Sequence, residues 1–206
     1  ESGGVKIASG EDVTDTYLKN ADFEGSYSIA SQPNSDRAIY APTGWTPTRI
    51  GSDKNDMTVL KSGDKAYGSF SAFDSFNNPG NYNHGTKTYW TRLRWSTNTG
   101  LKLMQNITLP QGWYRISADV LHYDSSKKNG LRLLAGSIVA QAPVSSAKDQ
   151  WSTLSVEFYS DGESSTIPVG FLMNHIEQTE MITAFDNVKL EKLDQSFSSF
   201  TEDTPS

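Results

Sequence analysis

"WYRISADVLHY", residues 113–123, changes side-chain character at every second position. Successive side chains of an extended chain point to opposite faces. Tyr114, Ile116, Ala118, Val120 and His122 therefore fall on one side, and Arg115, Ser117, Asp119, Leu121 and Tyr123 on the other. A helix would need apolar positions three and four apart. The run reads as a strand, its first set in a core and its second facing out.

The same period recurs on both sides of this run. Segments 13–18, 45–50, 58–61, 66–73, 89–96, 101–109, 130–140, 151–159, 167–173 and 181–193 are rich in Val, Ile, Thr, Tyr, Phe and Trp. Gly, Asn, Asp, Ser and Pro bound them, as strand ends require. Helical periodicity is nearly absent. The pattern predicts an all-β fold, a two-sheet antiparallel β-sandwich of the jelly-roll kind. "PQG" at 110–112 predicts a tight reversal between strong strands, and "KKNG" at 127–130 a hairpin turn. A chain of 206 residues suits one such domain over 13–193. Residues 1–12 read as a flexible leader or an added first strand, and 194–206 as a polar, acidic tail.

With 18 basic and 24 acidic residues the net charge is -6. An acidic chain has no overall attraction for phosphate backbones or anionic lipid, which argues against nucleic acid as a partner. With no cysteine there are no disulfides and no thiolate metal sites. No apolar run approaches the roughly 20 residues that cross a bilayer, so the chain is expected not to be membrane-embedded. A lipid anchor and further modules of a larger surface protein are compatible with it. The chain starts at Glu1 without a signal-peptide pattern and reads as a mature or trimmed form.

Four motifs stand in order: "YLKNADFEG" at 17–25, "TGWTP" at 43–47, "QNITLPQGWY" at 105–114 and "ITAFDNVKLEKL" at 182–193. Their order and spacing resemble the galactose-binding-like jelly-roll domains. The nearest are carbohydrate-binding modules of the family 4/9/22 type, from bacterial polysaccharide-degrading proteins. The resemblance implies a secreted, periplasmic or outer-surface bacterial protein with a carbohydrate partner. It also implies a structural calcium where the first and last strands meet, held by Glu24 and Asp186 with carbonyl oxygens around Asp64. Calcium takes six to eight hard oxygen ligands in irregular geometry, so this donor set is chemically apt.

"YWTRLRW" at 89–95 divides by alternation. Tyr89, Thr91, Leu93 and Trp95 face the core, whereas Trp90, Arg92 and Arg94 face out. If this strand shares a sheet with 113–123, then Trp90, Arg92, Arg94, Asp119 and Tyr123 line one exposed face. A pyranose stacks its C–H face on an aromatic plane while Arg and Asp reach its hydroxyls. A second candidate set comes from loops: Tyr82 and His84 in "FNNPGNYNHGTK", and Asn174, His175 and Gln178 in "MNHIEQTEM".

Nucleophile elbows, phosphate loops, zincin helices and dinucleotide fingerprints are absent from the sequence. The expectation is therefore non-catalytic carbohydrate binding. Its rivals are a structural, adhesion or protein-docking domain without a sugar ligand, and a hydrolase or lyase on the same frame.

Overall fold

Among the residues described in the computed structural model, strand periodicity in the sequence becomes twelve strands and one short helix. The structure describes residues 10–34, 37–50, 88–94, 99–128, 130–145, 147, 150–175 and 180–194; within these, the side chains at 31–34, 37, 38, 90, 92–94, 99, 175 and 180 are not described. The elements are β1 (Gly10–Asp12), α1 (Thr14–Tyr17), β2 (Tyr27–Asn34), β3 (Arg37–Pro42), β4 (Thr46–Ile50), β5 (Tyr89–Arg94) and β6 (Thr99–Ile107). They continue with β7 (Gly112–Asp124), β8 (Gly130–Ala135), β9 (Ile138–Gln141), β10 (Trp151–Ser160), β11 (Ile167–His175) and β12 (Glu180–Leu193).

Sheet one runs β12–β7–β10, and β12 lends its other side to β5 near its start and to β1 near its end. Sheet two has the order β4–β6–β11–β8–β9. The pairings within both sheets are antiparallel. From β5 onward nearly every connection crosses from one sheet to the other, which is what makes the sandwich a jelly roll.

That crossing corrects two turn expectations. "PQG" links β6 in sheet two to β7 in sheet one, so it bridges layers instead of closing a hairpin. "KKNG" does the same between β7 and β8. The hairpin in this region lies further on, at Gly136 (φ +61), and divides the expected 130–140 strand into β8 and β9.

Segment 13–18 is also not a strand. Asp12 accepts hydrogen bonds from the Thr14 N–H (3.0 Å) and the Thr14 hydroxyl (2.6 Å), turning the chain into α1. The β2–β3 ribbon escaped prediction because its Ser, Gln, Pro and Asn residues hide the alternation. The expected strands 58–61 and 66–73 lie outside the described residues.

The core holds the inward rows of both sheets. Phe171 of sheet two stacks on Phe185 of sheet one at 3.8 Å between centroids, and Tyr89 stacks on the same ring at 5.2 Å. Phe23 enters from the loop before β2 and packs against Phe185 and Trp45, at 5.8 and 5.3 Å. It adopts φ +58, unusual for a bulky side chain. Burying its whole ring returns about 2–3 kcal/mol, enough to hold that backbone. Gln105 clamps the same loop through the Lys19 peptide, accepting from its N–H at 2.8 Å and donating to its carbonyl at 3.0 Å. Trp45 Nε1 donates to the Asn20 carbonyl at 3.0 Å, and the Tyr114 hydroxyl to the Pro110 carbonyl at 2.8 Å. The motif residues therefore share one physical task, fixing two loops onto the core.

Candidate functional site

Three surfaces follow from this frame. The first is the outer face of sheet one, where the sequence placed the candidate site. β5 and β7 do share this sheet, with β12 between them. Trp90 lies opposite Ala184, Ala184 opposite Leu121, and Leu121 opposite Trp151. Arg92 lies opposite Ile182 and Arg94 opposite Glu180; the side chains of Trp90, Arg92 and Arg94 are outside the described residues.

The middle of that face is closed. Leu121, expected to point into solvent, is fully buried, as are Ile182 and Ala184, and Tyr123 and Trp151 pack against them. Further along, the polar groups are engaged. Arg115 bonds Glu157 at 3.3 Å and Glu191 at 3.2 Å, and Lys189 bonds Glu191 at 3.5 Å. Asp119 lies a row beyond the end of β5 and accepts from Asn187 Nδ2 at 3.2 Å and the Thr153 hydroxyl at 3.5 Å. At Leu121 and Asp119 this face is thus closed or engaged, while the side chains of Trp90, Arg92 and Arg94 lie outside the described residues.

The second surface surrounds an irregularity in β12. Its pairing with β7 slips between Asp186 and Lys189, and Asn187 takes φ +52 there. Asp186 is wholly buried. It accepts from the Asn187 N–H at 2.7 Å and, at 3.5 Å, from the Thr88 hydroxyl. Burial above all, then the nearby Glu24, Asp22 and Asp119, pushes its carboxyl up to about 8, against the Asn187 N–H, which lowers it. A buried carboxylate beside other acids, with so few donors, is the environment a cation relieves. Glu24 and Asp186 thus fit the implied calcium chemically. Among the described residues no three His, Cys, Asp or Glu side chains converge on one point, so carbonyl oxygens would have to complete the shell. Asp64 lies outside the described residues.

The third surface is the outer face of sheet two, which sequence reasoning missed except for Asn174. Register aligns Thr48, Lys102, Leu172, Arg132 and Gln141 in one row across the five strands. The next rows hold Thr46, Met104, Gly170, Leu134 and Val139, and Ile50, Gly100, Asn174 and Gly130. Asn174 stands between two glycines, Gly100 and Gly130, and the Gln141 side chain lies over Gly130. Gly100 is obligatory, because a Cβ there would come within 2.4 Å of the Met173 carbonyl oxygen. Among the described residues Lys102 and Arg132 have no ion-pair partner, and Asn174 and Gln141 make no side-chain hydrogen bond. None of the positions in these three rows is Asp or Glu. A readable signal existed in "LKL" and "LRL", where strand alternation sets one cation outward between core leucines. Their convergence needed β11 to lie between them, and no local pattern specifies that.

The remaining loop candidates, Tyr82, His84 and Gln178, lie outside the described residues, as does the His175 side chain; its backbone pairs with Thr99. His122 does face the core, as alternation predicts. Its Nδ1 accepts from the Leu131 N–H at 3.4 Å, and its Nε2 is buried without a partner. Burial holds its pKa down to about 4, opposed by Asp124 and aided by Arg132. A histidine that is neutral when folded but free to take a proton when unfolded costs stability as the pH falls below its unfolded value, until the folded pKa is passed. The protein should lose about 2 kcal/mol between pH 7 and pH 5 from this group, and His122→Leu should flatten that slope in denaturant titrations. An equally steep slope in the variant would show that other groups cause it.

No family model matches the chain, and no curated protein matches it in sequence. Solved structures do resemble it. The Stig cyclase Fisc from Fischerella sp. TAU, in complex with (3Z)-3-(1-methyl-2-pyrrolidinylidene)-3H-indole, has a TM-score of 0.52 at 15% identity, over 91% of this chain and 100% of that one. TmCBM61 in complex with beta-1,4-galactotriose has a TM-score of 0.47 at 16% identity, over 85% and 97%. The CBM22-1 xylan-binding domain from Paenibacillus barcinonensis Xyn10C has 0.44 at 13%, over 93% and 99%. At these identities the likeness to Fisc is one of fold alone, and a shared fold does not fix a function. Among the described residues no helix is long and apolar enough to cross a membrane.

Proposed function

We propose that this chain binds carbohydrate without cleaving it, on the outer face of sheet two. One observation carries the reading: in an acidic chain, this face alone among those described offers uncommitted donors and excludes carboxylates from its rows. Hydroxyl-rich ligands need side chains whose hydrogen bonds are not already spent. Lys102, Arg132, Asn174 and Gln141 supply these around a small apolar centre of Met104, Leu172 and Leu134. The two unpaired cations favour an acidic polysaccharide, such as one built from uronates. Glycoside hydrolysis by the usual route needs a pair of carboxyl groups, and these rows carry none. Affinity electrophoresis through polyuronate gels tests the reading. Retardation that fades with added salt is expected, because salt screens exposed charges; free migration through every acidic glycan contradicts it.

The same reading includes calcium as a structural partner. Glu24 and Asp186 would hold it, and it would supply the positive charge that lets a buried carboxylate stay ionised. It would tie the loop before β2 to the irregular stretch of β12, leaving the sugar face on the other sheet.

A further inference from the structure

We propose a second binding site, for a single uncharged pyranose ring, in the groove where the edges of the two sheets meet at β9 and β10. It rests on the carbohydrate reading above but uses different residues and chemistry.

Trp113 and Tyr159 are direct cross-strand partners on β7 and β10, at the sheet's β10 edge. Their rings meet at 5.3 Å and 61°, edge to face. Tyr159 keeps 43% of its surface exposed although its hydroxyl is held by Gln111 Nε2 at 2.8 Å. A large aromatic that is fixed yet uncovered is a preformed platform, with little rotamer freedom left to lose on binding. The hairpin after β8 closes the groove from sheet two with Ser137 and Ile138, the latter 47% exposed, and Ile167 forms its floor. The cavity measures about 480 Å³, within the range of small-ligand sites.

Its chemistry selects the occupant. The aromatic and aliphatic walls suit the C–H face of a sugar ring. Around them stand the Ser137 hydroxyl, the Tyr159 phenol and the Glu157 carboxylate, which Arg115 anchors at 3.3 Å. Among the described residues Glu157 is the one charged group lining the groove. A carboxylate accepts from sugar hydroxyls but repels a uronate. The groove therefore takes neutral rings, while the face of sheet two takes acidic ones. The sites adjoin through β9, which gives Ile138 to the groove and Val139 and Gln141 to the face.

The test is affinity electrophoresis of the whole chain in gels of neutral galactan, xylan, mannan, mixed-linkage glucan and starch. At least one gel should retard the protein, to the same extent in low salt and in about 0.5 M salt, where the Debye length is only a few Å. Tyr159→Ala should cut that retardation about tenfold with the melting temperature kept. Ser137→Trp, which fills the groove from an exposed position, should do the same. Measured against its own mobility in a glycan-free gel, the Lys102→Ala/Arg132→Ala variant should be retarded by neutral gels as much as wild type, which separates this site from the acidic-glycan face. The proposal is overturned if no neutral gel retards the protein, or if retardation survives either groove variant. A dimer that Tyr159→Ala dissolves would overturn it in favour of self-association.

Discussion

Removing calcium with EDTA is expected to lower the melting temperature by about 5–10 °C, and Asp186→Asn is expected to abolish the difference. A ligand held at a hundred times its dissociation constant adds about 2.7 kcal/mol, and in a chain near 200 residues each kcal/mol moves the midpoint by about 2–4 °C. The substitution keeps the shape of the side chain and its capacity to accept from the Asn187 N–H. It removes the charge that burial and the neighbouring acids penalise. Asp186→Asn should therefore melt above the wild type in EDTA and below it in calcium. That crossing is specific to a metal-neutralised carboxylate. If Asp186 only caps the irregular stretch of β12, calcium and EDTA should give the same melt in both proteins.

The second large effect concerns sheet two. Lys102→Ala together with Arg132→Ala should weaken binding of an acidic glycan by about ten- to thirtyfold at low salt. Each exposed ion pair contributes up to about 1 kcal/mol, with the hydrogen bonds of the two head groups adding to it. At high salt the gap between variant and wild type should narrow, since salt screens the charge part of the deleted interaction but not its hydrogen bonds. Stability should hardly change, because among the described residues neither cation has an ion partner to lose. Asn174→Ala should weaken binding less, and equally at all salt concentrations. A double variant with full, salt-sensitive affinity would move the site elsewhere.

The strands that read clearly were those with one dry and one wet face. In β7, Tyr114, Ile116, Ala118, Val120 and His122 are all buried, as period two demands. Leu121 broke the pattern because its cross-strand neighbours Ala184 and Trp151 are apolar as well, which the sequence of β7 does not contain. The turns were legible as turns, but a Gly-rich reversal does not say whether the next strand pairs or crosses to the other layer. The order of sheet two was hidden for that reason, and with it the meeting of Lys102 and Arg132 across Leu172. Asp186 could be named from its motif, whereas its burial and its meeting with the Thr88 hydroxyl and neighbouring acids arise only from tertiary packing. Trp113 and Tyr159 lie 46 positions apart in sequence and become partners only through the β7–β10 register.

The most direct test of the carbohydrate reading is residue-resolved: amide chemical shifts followed by NMR while a uronate oligosaccharide is added. The expected result is a contiguous set of shifts at Lys102, Leu172, Arg132 and Asn174, weakened by salt. Shifts confined to β7 and β12, or none at saturating ligand, would contradict it.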